Sequence, residues 1–79
     1  MTAKVAAFIA KTRQDGSDVI TYDKYGSPIF RVYGEYVEHA PEWVAVRRGT
    51  RVLVYDRENL LTSTILQDSW DKGMRPQGS

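Results

Sequence analysis

Turn signals divide this chain so evenly that the stretches between them suit short β-strands and little else. Asp15-Gly16, Lys24-Tyr25-Gly26, Gly34-Glu35, Gly49-Thr50 and Arg57-Glu58-Asn59 punctuate it. Gly, Asn and Asp at such points supply the left-handed residues of tight hairpins. The intervening runs alternate and are rich in Val, Ile, Tyr and Thr, as half-buried strands are. The fold expected is all-β: one small domain, an antiparallel meander of about six to seven short strands.

The 79 residues suffice for one modest core. A meander of that size must curl to bury its apolar face, as a barrel, a roll or a flower-like array. Residues 1–66 are read as the β domain and 67–79 as a short C-terminal tail. In that tail Trp70 docks onto an open end of the sheet, or a single helical turn forms around it, and the polar end frays.

Cross-strand pairing tests each hairpin. A turn centred on Asp15-Gly16 sets Arg13 opposite Asp18, a favourable charge pair. The rival is a helix over Ala3–Arg13, where Val5, Phe8, Ile9 and Thr12 fall at helical spacing. A turn at Gly34-Glu35 faces Tyr33 with Tyr36, Val32 with Val37, Arg31 with Glu38 and Phe30 with His39. Gly49-Thr50 faces Val46 with Leu53, Val44 with Tyr55 and Trp43 with Asp56, but also Arg48 with Arg51, an unfavourable like-charge pair.

There is also an internal echo. Tyr22-Asp23-Lys24-Tyr25-Gly26 and Tyr55-Asp56-Arg57-Glu58-Asn59 share Tyr-Asp-x-x-(Gly/Asn). Asp can accept local backbone N–H groups, and Gly or Asn tolerates the left-handed residue of a three-residue loop. The pattern superficially resembles the Tyr-Asp repeats of secreted Rhs-type shells. It covers only those two segments, and it is read here as turn chemistry that assigns no family.

Composition narrows function chiefly by exclusion. The formal net charge of +1 predicts no strong whole-molecule attraction to nucleic acid or membrane. Residues 43–57 carry Arg47, Arg48, Arg51 and Arg57, whereas 35–42 carry Glu35, Glu38 and Glu42, so a dipolar surface is expected. No cysteine is present, which rules out disulfides and suits a reducing compartment. Lys4 precedes the apolar run from Val5 to Ala10, too short for a signal peptide, so a soluble cytoplasmic protein is expected.

Three surface clusters invite a functional reading. Arg47, Arg48 and Arg51 could cradle a phosphate or carboxylate; the plainer reading is a solvated turn. Tyr33, Tyr36, Arg31 and Trp43 could form a partner-binding or base-stacking face; the plainer reading is cross-strand packing. Glu38-His39-x-x-Glu42 invites a metal site, but one imidazole and an intervening Pro41 argue against it. No catalytic set, metal spacing, cofactor motif or small-molecule pocket is legible. The expectation is a non-enzymatic binding module that engages a protein partner or a second copy of itself, in the manner of a small adaptor or inhibitor. Nucleic-acid binding through the arginine hairpin and exposed aromatics is the alternative.

Overall fold

A computed structural model describes residues 7–76. Its elements are β1 (Lys11–Asp15), β2 (Asp18–Tyr22), β3 (Pro28–Tyr33), β4 (Glu35–Ala40), β5 (Trp43–Arg48), β6 (Arg51–Asp56), β7 (Leu61–Leu66) and α1 (Gln67–Asp71). The rival helix over Ala3–Arg13 falls partly outside the described residues; within them, Lys11–Asp15 is strand. The all-β antiparallel meander is present, but it forms two open sheets, β1-β2-β3 and β4-β5-β6-β7. Neither closes into a barrel.

The break falls at Gly34, where a β3–β4 hairpin was expected. That ladder does not form: Val32 pairs with Val19 and Phe30 with Thr21, while His39 pairs with Val44. Gly34 has φ +138°, and a Cβ there would lie 2.9 Å from the Cβ of Val46. Its N–H donates to the Ser17 carbonyl at 2.8 Å, tying the crossing point to the first hairpin. Gly34 is therefore where the chain leaves one sheet for the other, and the close approach leaves no room for a side chain.

The first hairpin also turns differently. Asp15 faces Asp18 and Arg13 faces Ile20, so the central residues are Gly16-Ser17 and the expected Arg13–Asp18 pair is absent. Gly16 supplies the left-handed position, φ +61°. The Gly49-Thr50 hairpin has the expected register throughout, including Arg48 opposite Arg51.

The two Tyr-Asp loops prove to be the most visible part of a structural duplication. Shifting by 33 residues carries Gly16 onto Gly49, Tyr22 onto Tyr55 and Asp23 onto Asp56. The same shift carries the pairs Val19–Val32 and Thr21–Phe30 onto Val52–Ile65 and Val54–Ser63. Even the irregularities correspond: each β2–β3-type ladder slips at its Tyr, and Gly34 N–H to Ser17 O recurs as Gln67 N–H to Thr50 O, both at 2.8 Å. Units β1-β2-β3 and β5-β6-β7 are thus two copies of one three-stranded motif, joined by β4.

Packing follows from that duplication. Val19 and Val32 of the first sheet pack on Val44 and Val46 of the second, with Ile9 between them and Phe30, Leu53 and Tyr55 at the margin. The opposite face of the second sheet, Ala45, Val52, Val54 and Ile65, is covered by Trp70 of α1, with Val37 and Trp43 alongside. Strand β5 is therefore buried on both faces, which explains why Val44-Ala45-Val46 is continuously apolar. The exposed face of the first sheet carries Lys11 and Arg13 where β5 has Val44 and Val46. Lys11 Nζ lies 5.3 Å from the Tyr22 ring centroid and Arg13 Nε donates to the Tyr22 hydroxyl at 3.1 Å. Cations thus cover one end of the stack and α1 the other, as capping units do in repeat proteins.

Candidate functional site

The two units present equivalent hairpin tips of opposite charge. In the first, Asp15 faces Asp18; 33 residues later Arg48 faces Arg51. Both are like-charge pairs directly across a ladder, which is unfavourable unless something intervenes. For the acidic pair something does. Arg31, from β3, places Nη2 2.6 Å from Asp15 Oδ2 and Nε 3.2 Å from Asp18 Oδ2. The position equivalent to Arg31 in the second unit is Thr64, so no counter-ion reaches the arginine pair from β7.

Arg48 finds its partners elsewhere. Its Nε donates to the Tyr33 carbonyl at 2.8 Å, and its guanidinium lies 5.2 Å from the Tyr33 ring centroid and 5.9 Å from that of Tyr55. Arg51 is exposed, and among the described residues its side chain has no ion pair or hydrogen bond. Tyr33 is 59% exposed beside them. An open cleft of about 350 Å³ runs between the tips, lined by Ser17, Tyr33, Gly34, Glu35, Arg47 and Arg48.

The structure brings together residues that sequence reasoning had assigned to different clusters and separates others that it had grouped. Tyr33 joins Arg48, whose ladder partner is Arg51. Tyr36 lies on β4, with its hydroxyl 3.0 Å from His39 Nδ1. Arg31 is committed to the two aspartates, and Trp43 is half-buried, edge-on to Trp70 at 6.1 Å. Arg47 pairs with Glu35, its ladder neighbour, and Glu38 pairs with Arg75 at 3.0 Å. Arg47 across the β4–β5 ladder and Arg75 from beyond α1 therefore neutralise two of the three glutamates in residues 35–42.

The residues considered for chemistry are occupied in other ways. Asp23 Oδ1 accepts the N–H groups of Tyr25 and Ser27, both at 2.9 Å. Asp56 Oδ1 accepts those of Glu58 and Leu60 at 2.9 and 3.0 Å. Among the described residues, no three His, Cys, Asp or Glu side chains converge as a metal site would require. None of their helices is long and apolar enough to cross a membrane. The hydrogen bond to Tyr22 raises the pKa of Arg13 further above an ordinary guanidinium's.

The importance of Asp15 and Asp18 escaped the sequence reading. The signal was available, because aligning Asp15-Gly16-Ser17-Asp18 with Arg48-Gly49-Thr50-Arg51 shows the reversal of charge. No protein-family model, curated protein or solved structure matches this chain.

Proposed function

We propose that this protein is a non-enzymatic binding module that recognises an acidic segment of a protein partner through Tyr33, Arg48 and Arg51. One observation carries the reading: the Asp15–Asp18 tip is bridged by a guanidinium, while among the described residues no carboxylate pairs with Arg48 or Arg51 at the equivalent tip. A partner's Asp or Glu side chain would stand to the arginines as Arg31 stands to the aspartates. Guanidinium pairs suit such a ligand because they bind carboxylates through a planar fork and stay charged at any physiological pH. Exposed Tyr33 adds the kind of aromatic contact that anchors protein interfaces. Absence of cysteine is consistent with a cytoplasmic role.

The Tyr33–Arg48 stack also suits a single-stranded nucleic acid, since bases stack on aromatic rings beside cations.

Fluorescence anisotropy with a labelled Glu-rich peptide and a labelled oligonucleotide, at about 50 and 200 mM salt, separates these readings. The peptide is expected to bind and to weaken several-fold at the higher salt. Arg48→Glu with Arg51→Glu should abolish binding, and Tyr33→Ala should weaken it. Peptide binding that survives the double reversal would refute the assignment. Oligonucleotide binding without peptide binding would replace it with the nucleic-acid reading.

A further inference from the structure

Four strand edges terminate the two sheets, and three of them carry guards. β1 has Lys11, Arg13 and Asp15; β4 has Glu35 and Glu38, the latter crossed by Arg75. β4 is also held against β1 where Gln14 Oε1 accepts the Tyr36 N–H. β3 has Pro28, which offers no donor, and Arg31. Charges and prolines are the usual means of keeping an edge from pairing with another chain.

β7 has none of these. Its sequence, Leu61-Thr62-Ser63-Thr64-Ile65-Leu66, contains no charge, proline or glycine. It is the terminal strand of its sheet, and among the described residues no strand pairs with its outer edge. Leu60, Leu61 and Leu66 around it are 58, 52 and 58% exposed. The duplication sharpens the contrast. β3 is the equivalent strand of the first unit, and its two guards, Pro28 and Arg31, correspond to Leu61 and Thr64. Two copies of one motif thus differ at the positions that decide whether an edge is closed.

From this we infer that β7 pairs antiparallel with β7 of a second copy of the chain. Of the four edges, only β7 can meet itself without opposing like charges, losing a donor to proline or giving up a contact its edge already makes, as β4 does with Gln14 and Arg75. A two-fold axis through the middle of the strand sets the Leu61 end of one copy beside the Leu66 end of the other. The four-stranded sheet becomes one continuous eight-stranded sheet, and both free edges are consumed, so the assembly stops at a dimer. The two surfaces meet only where Leu66 pairs with Arg51 on the inner side of β7; the inference rests on the outer edge and does not depend on the acidic-peptide reading.

The test is sedimentation velocity of the full chain from about 5 to 500 µM, where mass action resolves a reversible dimer. Wild type should shift from monomer to dimer across the series. Thr64→Arg copies the β3 guard at an exposed position; a circular dichroism spectrum matching wild type checks that it folds with the new cation beside the Arg48–Arg51 pair, and it should dimerise at least tenfold more weakly. Leu61→Pro, which copies the other guard, should do the same. Tyr33→Ala should dimerise as wild type does. Because the chain lacks cysteine, Thr64→Cys labelled with pyrene gives a specific readout, with excimer emission rising in step with dimer. A wild type that stays monomeric, a dimer that Thr64→Arg leaves intact, or a dimer without excimer emission would each overturn the inference.

Discussion

Gln14 Oε1 accepts the Tyr36 backbone N–H at 2.7 Å, and that bond joins two sheets that share no ladder. The amide nitrogen of the same side chain donates to the carbonyls of Gly16, Asp18 and Gly34 at 3.0–3.1 Å. One glutamine thus ties the first hairpin tip, the Gly34 crossing and the start of β4 together. Gln14→Ala is expected to destabilise the fold by about 1–2 kcal/mol, because three carbonyls and one N–H lose a fixed partner. That corresponds to a fall in Tm of roughly 5–10 °C for a domain this small. Thermal unfolding followed by circular dichroism measures it. A Tm within a degree of wild type would mean that packing alone holds the sheets in place.

Gly34 and Gly16 make a matched pair for a second test. Both have positive φ, but a Cβ on Gly16 meets nothing within 4 Å, whereas one on Gly34 meets Val46 at 2.9 Å. Gly16→Ala should lose about 1 kcal/mol, from backbone strain alone. Gly34→Ala adds a clash inside the core between the sheets and should lose about 3 kcal/mol or more. Urea denaturation of the two variants gives the difference directly. Equal losses would show that the crossing relaxes around a methyl group.

What could be read from the sequence follows the range of the interactions. The Gly49-Thr50 hairpin and both Tyr-Asp loops were legible because turn chemistry is a local signal, whereas Trp70 covers a face of the second sheet and not an open end. The β3–β4 break was not. Gly34-Glu35 has the composition of a hairpin turn, and only the approach of Val46, distant in sequence, shows that the chain changes sheets there. The site was half legible for the same reason. Arg48 opposite Arg51 follows from one turn, but Tyr33 reaches Arg48 only because two sheets stack. Arg31 reads as part of an interface face because its aspartate partners, Asp18 on the neighbouring strand and Asp15 two strands away, are distant in sequence.

Asp23 and Asp56 perform the same task in their two loops, each accepting two backbone N–H groups through Oδ1. Replacing either with Ala should therefore destabilise by a similar amount, about 1 kcal/mol. Asn retains the acceptor and should recover most of the loss. The loops differ at the left-handed position, which is Gly26 in one and Asn59, at φ +65°, in the other. Asn59→Gly should stay within about 0.5 kcal/mol of wild type, while Asn59→Val should lose about 1–2 kcal/mol, because a β-branched residue is strained there. Chemical denaturation of the six variants tests the equivalence. Unequal losses from the two Asp→Ala changes would break it.

Trp70 stands in for a third unit. The inner face of the first sheet is covered by the second sheet, and the corresponding face of the second, Val52, Val54 and Ile65, is covered by the indole. Trp70 is 3% exposed, edge-on to Trp43, with the Arg75 guanidinium 4.2 Å from its ring centroid. α1 spans only Gln67–Asp71 and has no side-chain N-cap, so it has little stability of its own and depends on that contact. Trp70→Ala should lose about 3–5 kcal/mol, a large share of what so small a domain possesses. Trp70→Phe keeps an aromatic plug and should lose about half as much, leaving a folded protein in which the cap can still be measured. Arg75→Gln removes the Glu38 pair, the bond to the Trp70 carbonyl and the contact with the indole, and should lose about 1–2 kcal/mol. Hydrogen exchange then locates the effect, since loss of the cap should expose the amides of β6 and β7 before those of β1 to β3. If Trp70→Phe instead weakened protection evenly across both sheets, the two units would unfold as one body and α1 would not be a local cap.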